Sequence, residues 1–137
     1  MKRDTRVEAI LERKEEFQPD SRLNSKQLTS ELIAYIVEKI VRGVAPQRII
    51  MFGSRARGEA KDDSDLDLFV IQDSQLPNRQ VRRRIERLLW GREFGVDLIV
   101  RTPPEVERNM ADGNPFYTRH IFGEGRVLYE RPSQASG

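Results

Sequence analysis

The stretch Arg48-Ile49-Ile50-Met51-Phe52-Gly53-Ser54-Arg55-Ala56-Arg57-Gly58-Glu59-Ala60-Lys61-Asp62-Asp63-Ser64-Asp65-Leu66-Asp67-Leu68-Phe69-Val70-Ile71 decides how this chain folds. It opens on a short apolar run, Arg48 to Phe52, that stops at a glycine, as a buried strand does. It closes on a second run, Leu66 to Ile71. From Leu68 onward that run is apolar at every position, so both faces are covered and the strand is central. Between the two lies a turn rich in charge, with room for a short helix over Arg55–Glu59.

The same pattern continues outward. Val96-Asp97-Leu98-Ile99-Val100 reads as a third strand and Val127-Leu128-Tyr129 as a final one. Leu28, Leu32, Ile33, Ile36, Val37, Ile40 and Val41 form a helical stripe, with Thr29 and Ser30 as capping hydroxyls and Gly43 as the expected stop. Val81, Ile85, Leu88 and Leu89 give a second helix over about 78–92. Residues 105–111 form another after Pro103-Pro104. Phe116, Tyr117, Ile121 and Phe122 suggest a short one, read as core. Val7, Ile10, Leu11 and Phe17 place a helix at 5–17, broken by Pro19 and Asp20. Helices alternating with short buried strands predict an α/β (α+β) domain, its sheet flanked by helices. The expected organisation is an N-terminal helical arm over 1–27, one domain over 28–130 and a loose polar tail over 131–137.

Composition narrows the chemistry. The 137 residues suffice for one domain. Charged residues reach 34% and the apolar share is 37%, so the core is small and the surface highly charged. Lys and Arg total 24 against 22 Asp and Glu, and a net charge of +2 does not mark an obligate nucleic-acid binder. With no cysteine, disulfides, thiolate zinc sites and cysteine nucleophiles are excluded. With His120 as the one histidine, so is any two-histidine metal site. No apolar run is long enough for a membrane span, and the basic start lacks the apolar stretch of a secretory signal, so the expected location is the cytoplasm. Carboxylates, arginines, hydroxyls and backbone remain.

Two ends of the opening stretch carry that chemistry. At Gly53 the backbone can approach a ligand without a Cβ. Ser54 starts a turn whose hydroxyl and amides suit an anion, and Arg55 and Arg57 add charge for phosphate oxygens. An ordinary strand-to-helix turn with solvent-facing arginines fits these residues too. At the other end, Asp65 and Asp67 bracket Leu66, so both carboxylates point to one face. Adjacent carboxylates repel, and a hard divalent cation such as Mg²⁺ relieves the repulsion. The alternative is a charged strand end on a solvated face. Asp97 is a third acid inside an apolar strand, where it costs on the order of several kcal/mol unless paired, protonated or bound to metal. Asp97 can ligate a metal, act as a general base, or stand at the end of an edge strand. If the three converge, they form a cage suited to displacement at phosphorus.

Gly53-Ser54, ten residues, then Asp65-Leu66-Asp67 resembles the signature of the DNA polymerase β-type nucleotidyltransferase superfamily. The fuller string from Gly53 to Gly58, ending Ser64-Asp65-Leu66-Asp67-Leu68, is similar to the minimal nucleotidyltransferases, small prokaryotic proteins often encoded beside a HEPN-domain partner. The likeness covers about residues 28–130. It implies a nucleotidyltransferase fold with a mixed sheet. It implies that Gly53 and Ser54 hold the triphosphate of a nucleoside triphosphate, with ATP expected, and that Asp65 and Asp67 bind Mg²⁺. Asp97 matches the third acid by position. It further implies transfer of AMP to a tyrosine hydroxyl of a HEPN-type toxin, with this chain as the antitoxin. The competing expectations are an idle module that neutralises its partner by contact, and nucleotidyl transfer to a small molecule such as an antibiotic.

The remaining features have plainer readings. Arg79, Arg82, Arg83, Arg84, Arg87 and Arg92 are expected to avoid the apolar face of their helix. They form a solvated surface, with docking of an acidic partner or nucleic acid as the sharper, less favoured alternative. Trp90 is expected in core or interface packing, and His120 at or near the surface.

Overall fold

The computed structural model describes residues 18–133. The helix expected at 5–17 lies outside the described residues.

Helix α1 spans Ser30–Val44, and its N-cap is Thr29, whose Oγ1 accepts a bond from the Leu32 amide at 3.1 Å. Gly43 does not end it, contrary to expectation. The helix runs through Gly43 and stops at Ala45, which adopts a left-handed φ of 46°. Pro46 disfavours the helical region for the residue before it, which accounts for the stop. Gly43 serves packing instead: a Cβ there would come within 2.3 Å of Leu88 Cδ1 on the neighbouring helix.

Four strands form one mixed sheet in the order β3-β2-β1-β4. Strand β1 (Arg48–Phe52) runs antiparallel to β2 (Leu66–Ile71), with Arg48 opposite Ile71 and Phe52 opposite Asp67. Strand β3 (Val96–Arg101) is parallel to β2, and β4 (Arg126–Glu130) is antiparallel to β1, with a bulge at Ile49/Ile50. The continuous apolar run from Leu68 does mark a central strand. The four-residue helix α2 (Ser54–Arg57) follows β1 directly.

Helix α3 (Asn78–Leu88) connects the parallel pair. It ends four residues earlier than its apolar spacing predicts, because Leu89 and Gly91 turn the chain. Gly91 has φ +99°, and a Cβ on it would come within 2.9 Å of the Asp20 amide nitrogen. That close approach seats residues 18–23 against the helix end, with Asp20 N–H donating to Trp90 O at 3.0 Å and Leu23 fully buried. Asp20 also accepts from Tyr35 Oη at 2.5 Å and Lys39 Nζ at 2.7 Å. Burial pushes the Asp20 carboxyl up, but these bonds prevail and hold it below the usual value. Two expectations about α3 are corrected here. Trp90 is 56% exposed, which removes the core half of its expectation and leaves interface packing open, since it falls in the turn after the helix. Arg84 does not avoid the apolar face but is buried beside Ile85.

Each face of the sheet has its own apolar layer, set by the period-2 alternation of side chains. Ile49, Met51, Leu66, Leu68, Val70, Leu98 and Val100 point toward α1 and α3. Ile50, Phe52, Phe69 and Ile71 point the other way, toward α4 (Pro103–Ala111) and a π-helical turn (Phe116–Ile121). There Phe69 meets Tyr117 edge-on at 5.6 Å, so the aromatic cluster read as core is core. Helix α4 starts on its prolines, whose fixed φ suits a first turn. Glu105 closes its capping box by accepting from Thr102 N and Thr102 Oγ1, both at 2.9 Å. Past β4, Arg131 donates to Asp73 and to Ala45 O. Among the described residues no helix is long and apolar enough to cross a membrane.

Candidate active site

The second layer does not cover its face of the sheet completely. Along β2, Ile71 and Phe69 are buried, whereas Asp67 is half-buried and Asp65, just before the strand, is exposed. Along β3, Ile99 is half-buried and Asp97 exposed. The open half of that face is where the acids stand. Asp67 and Asp97 are direct partners in the parallel register, and Phe52 flanks Asp67 from the other side. Asp65 precedes Asp67 by two residues, near enough for its charge to act on Asp67.

Two glycines make room for two of these carboxylates. Gly53 has φ 76° and ψ −157°, a conformation open essentially to glycine alone. A Cβ on Gly53 would come within 2.2 Å of Asp67 Oδ2. A Cβ on Gly95 would come within 2.0 Å of Asp65 Oδ1. The sequence marks Gly53 as a close-approach residue for a ligand; the group its bare Cα meets here is an acid. Gly95 was missed, although a glycine directly before an apolar strand is itself a sign of close approach.

The electrostatics converge on Asp67. Burial pushes its carboxyl above the usual value, and the charges of Asp97 and Asp65 push it further, against the opposing charges of Arg55 and Arg57. Ser54 opens α2, where the first amides of a helix lack intrahelical partners. Arg57 is tied by its Nε to Glu59 Oε2 at 3.1 Å and by Nη1 to Glu124 Oε2 at 3.6 Å. His120, exposed as expected, reaches the same Glu124 oxygen at 3.6 Å. Arg55 turns toward the loop before β2 and donates to the carbonyls of Ser64 and Lys61.

The donor set suits a hard divalent cation, since it consists of carboxylate oxygens on one face beside a glycine-lined turn. The cage itself is not closed: among the described residues no three acidic or histidine side chains lie near enough together to hold a metal ion. Asp67 and Asp97 share a register position, with Asp65 alongside. What the fold supplies is a row of three like charges on an open face.

Comparison with known proteins identifies the class. The nucleotidyltransferase domain family model matches residues 33–128, and the chain belongs to that family. Over 83 residues it is 30% identical to a Methanocaldococcus jannaschii protein named a putative protein adenylyltransferase, covering 61% of this chain and 78% of that one. The fold is also that of a Sulfolobus solfataricus crystal structure titled a putative nucleotidyltransferase. There the TM-score is 0.52 at 19% identity, over 95% of this chain and 91% of the other.

Proposed function

We propose that this nucleotidyltransferase moves AMP from ATP to a hydroxyl group on a partner protein, with Mg²⁺ as its cofactor. The observation that carries the reading is the row Asp65, Asp67 and Asp97 on the uncovered half of the sheet, adjoining the Gly53–Ser54 turn. Isolated, Asp67 in such a row destabilises the protein, because burial and the charges of Asp97 and Asp65 oppose its ionised form. A cationic ligand gives it a purpose.

In this mechanism the Gly53–Ser54 turn binds the triphosphate, with its backbone able to come close because Gly53 has no side chain. Arg57, held by Glu59 and Glu124, adds a positive charge near Asp67 that would favour phosphate. Asp65 and Asp67 would hold the Mg²⁺, as one or two carboxylates suffice beside substrate phosphates, and the ion would neutralise phosphate charge and polarise phosphorus. Asp97 is the exposed member of the row and takes the proton from the incoming hydroxyl. The hydroxyl oxygen forms a bond to the α-phosphorus, the bond to the β-phosphate oxygen breaks, and pyrophosphate leaves with the electron pair. Acids standing on an open face suit an acceptor delivered by another macromolecule.

The protein acceptor draws support from the name of the Methanocaldococcus jannaschii relative. The sequence likeness to minimal nucleotidyltransferases supports a HEPN-type toxin as the partner, with this chain as a cytoplasmic antitoxin. The test is incubation with Mg²⁺, ATP labelled at the α-phosphate and the neighbouring gene's product. Label on the partner is the expected result. Label on a small acceptor, or a tight complex without label, overturns the protein-acceptor reading.

A further inference from the structure

The Arg55 guanidinium is engaged by the loop before β2. Its Nε donates to Ser64 O at 3.2 Å and its Nη2 to the same oxygen at 2.7 Å, with a longer contact from Nη2 to Lys61 O at 3.5 Å. Two nitrogens of one planar group on a single carbonyl form a directional, charge-assisted clamp. The carbonyl they hold belongs to the peptide that joins Ser64 to Asp65. Fixing that peptide plane fixes where the Asp65 backbone begins.

The loop is prepared for this clamp from within. Lys61 N–H donates to Ser64 Oγ at 2.8 Å, and Ser64 N–H donates to Lys61 O at 3.0 Å, which closes a tight turn. On the far side of Asp65, Leu66 N–H donates to Gly95 O at 2.9 Å, so the residue is anchored at both ends. The Asp65 side chain then lies against the bare Gly95 Cα. Arg55 itself sits in the first turn of α2, one residue after Ser54. One side chain thus connects the phosphate-side turn to the acid-bearing loop.

We propose that Arg55 is a positioning residue that latches the 61–64 loop and sets Asp65, and that it does not bind the triphosphate. The inference rests on the function proposed above for Asp65 but makes a separate claim about the loop. Lysine cannot reproduce the clamp, because an ammonium presents a point charge rather than a fork.

The test compares Arg55→Lys and Ser64→Ala with the unaltered full chain. Ser64→Ala keeps Arg55 and every charge but removes the hydroxyl that closes the turn. Both variants should speed amide hydrogen exchange across 61–66. Both should lower turnover by about tenfold or more, while affinity for a non-hydrolysable ATP analogue stays within about threefold. An Arg55→Lys variant that loses about tenfold in analogue affinity with unchanged loop exchange would show that Arg55 grips phosphate, and the latch is then wrong. Unchanged exchange in both variants defeats it equally. If the unaltered chain binds no analogue and transfers nothing, the proposed function fails, and loop exchange alone still decides whether the latch exists.

Discussion

The face of the sheet under α4 is two surfaces in one. At one end Phe69 packs edge-on against Tyr117 and Phe122, with centroids 5.6 and 6.5 Å away. Two residues earlier on the same strand and the same side, Asp67 stands beside Asp97 with no such cover. Strand geometry is shared, so the difference comes from where the second layer ends. Covering layers make apolar residues stabilising; their absence lets acids persist and keeps them within reach of a ligand. On the proposed function, stability and catalysis are divided along a single strand.

The sharpest way to break this comparison is to neutralise the open end. Asp67→Asn should cut nucleotidyl transfer by about 10³-fold or more, measured as labelled product. The same change should raise the Tm of the metal-free protein near neutral pH. The sign follows from linkage: a carboxyl raised in the folded state binds more protons folded than unfolded, so its contribution is lost as pH rises through the raised value. The gain in Tm should shrink as pH falls toward the ordinary value of 3.8, where both proteins carry a neutral group. A lower Tm at neutral pH would show that Asp67 is structural.

At the covered end, Phe69→Ala should cost about 3–5 kcal/mol in denaturant unfolding, since Phe69 is fully buried between two layers. A loss under 1 kcal/mol would mean that the second layer is not packed as described. Gly95→Ala lies between the extremes. Its methyl group collides with Asp65 Oδ1, so transfer should drop by about tenfold to a hundredfold while unfolding changes little. Equal activity would remove Asp65 from the site. The smallest effect belongs to the cap of the covering helix. Glu105→Gln should lose about 1 kcal/mol at neutral pH. Backbone bonding from Thr102 is the main cause that holds the Glu105 carboxyl below its usual value, outweighing burial and assisted by Asn78. That contribution is present above the unfolded value of 4.5 and is lost as pH falls, so the variant and the parent should converge in acid.

Much of this was legible in the chain itself. The strands at 48–52 and 66–71 could be read because a glycine ends one and continuous apolar character marks the other as central. Asp65 and Asp67 could be expected on one face from strand alternation, although Asp65 falls just before the strand. Element ends were less legible. Gly43 looks like a stop but is a packing gap for Leu88, and only the neighbouring helix reveals it. Arg84 looks like one more surface arginine until the helix is set against the sheet.

The sequence by itself determined the elements, the carboxylate pair and the family signature, because periodicity and residue type act over a few positions. The tertiary structure alone decided that Asp97 pairs in register with Asp67, that Gly95 makes room for Asp65, and that Arg55 grips the Ser64 carbonyl. Each of these joins residues brought together by sheet pairing or loop closure. No local propensity encodes such a distance; it follows from how the layers pack and where the second one stops.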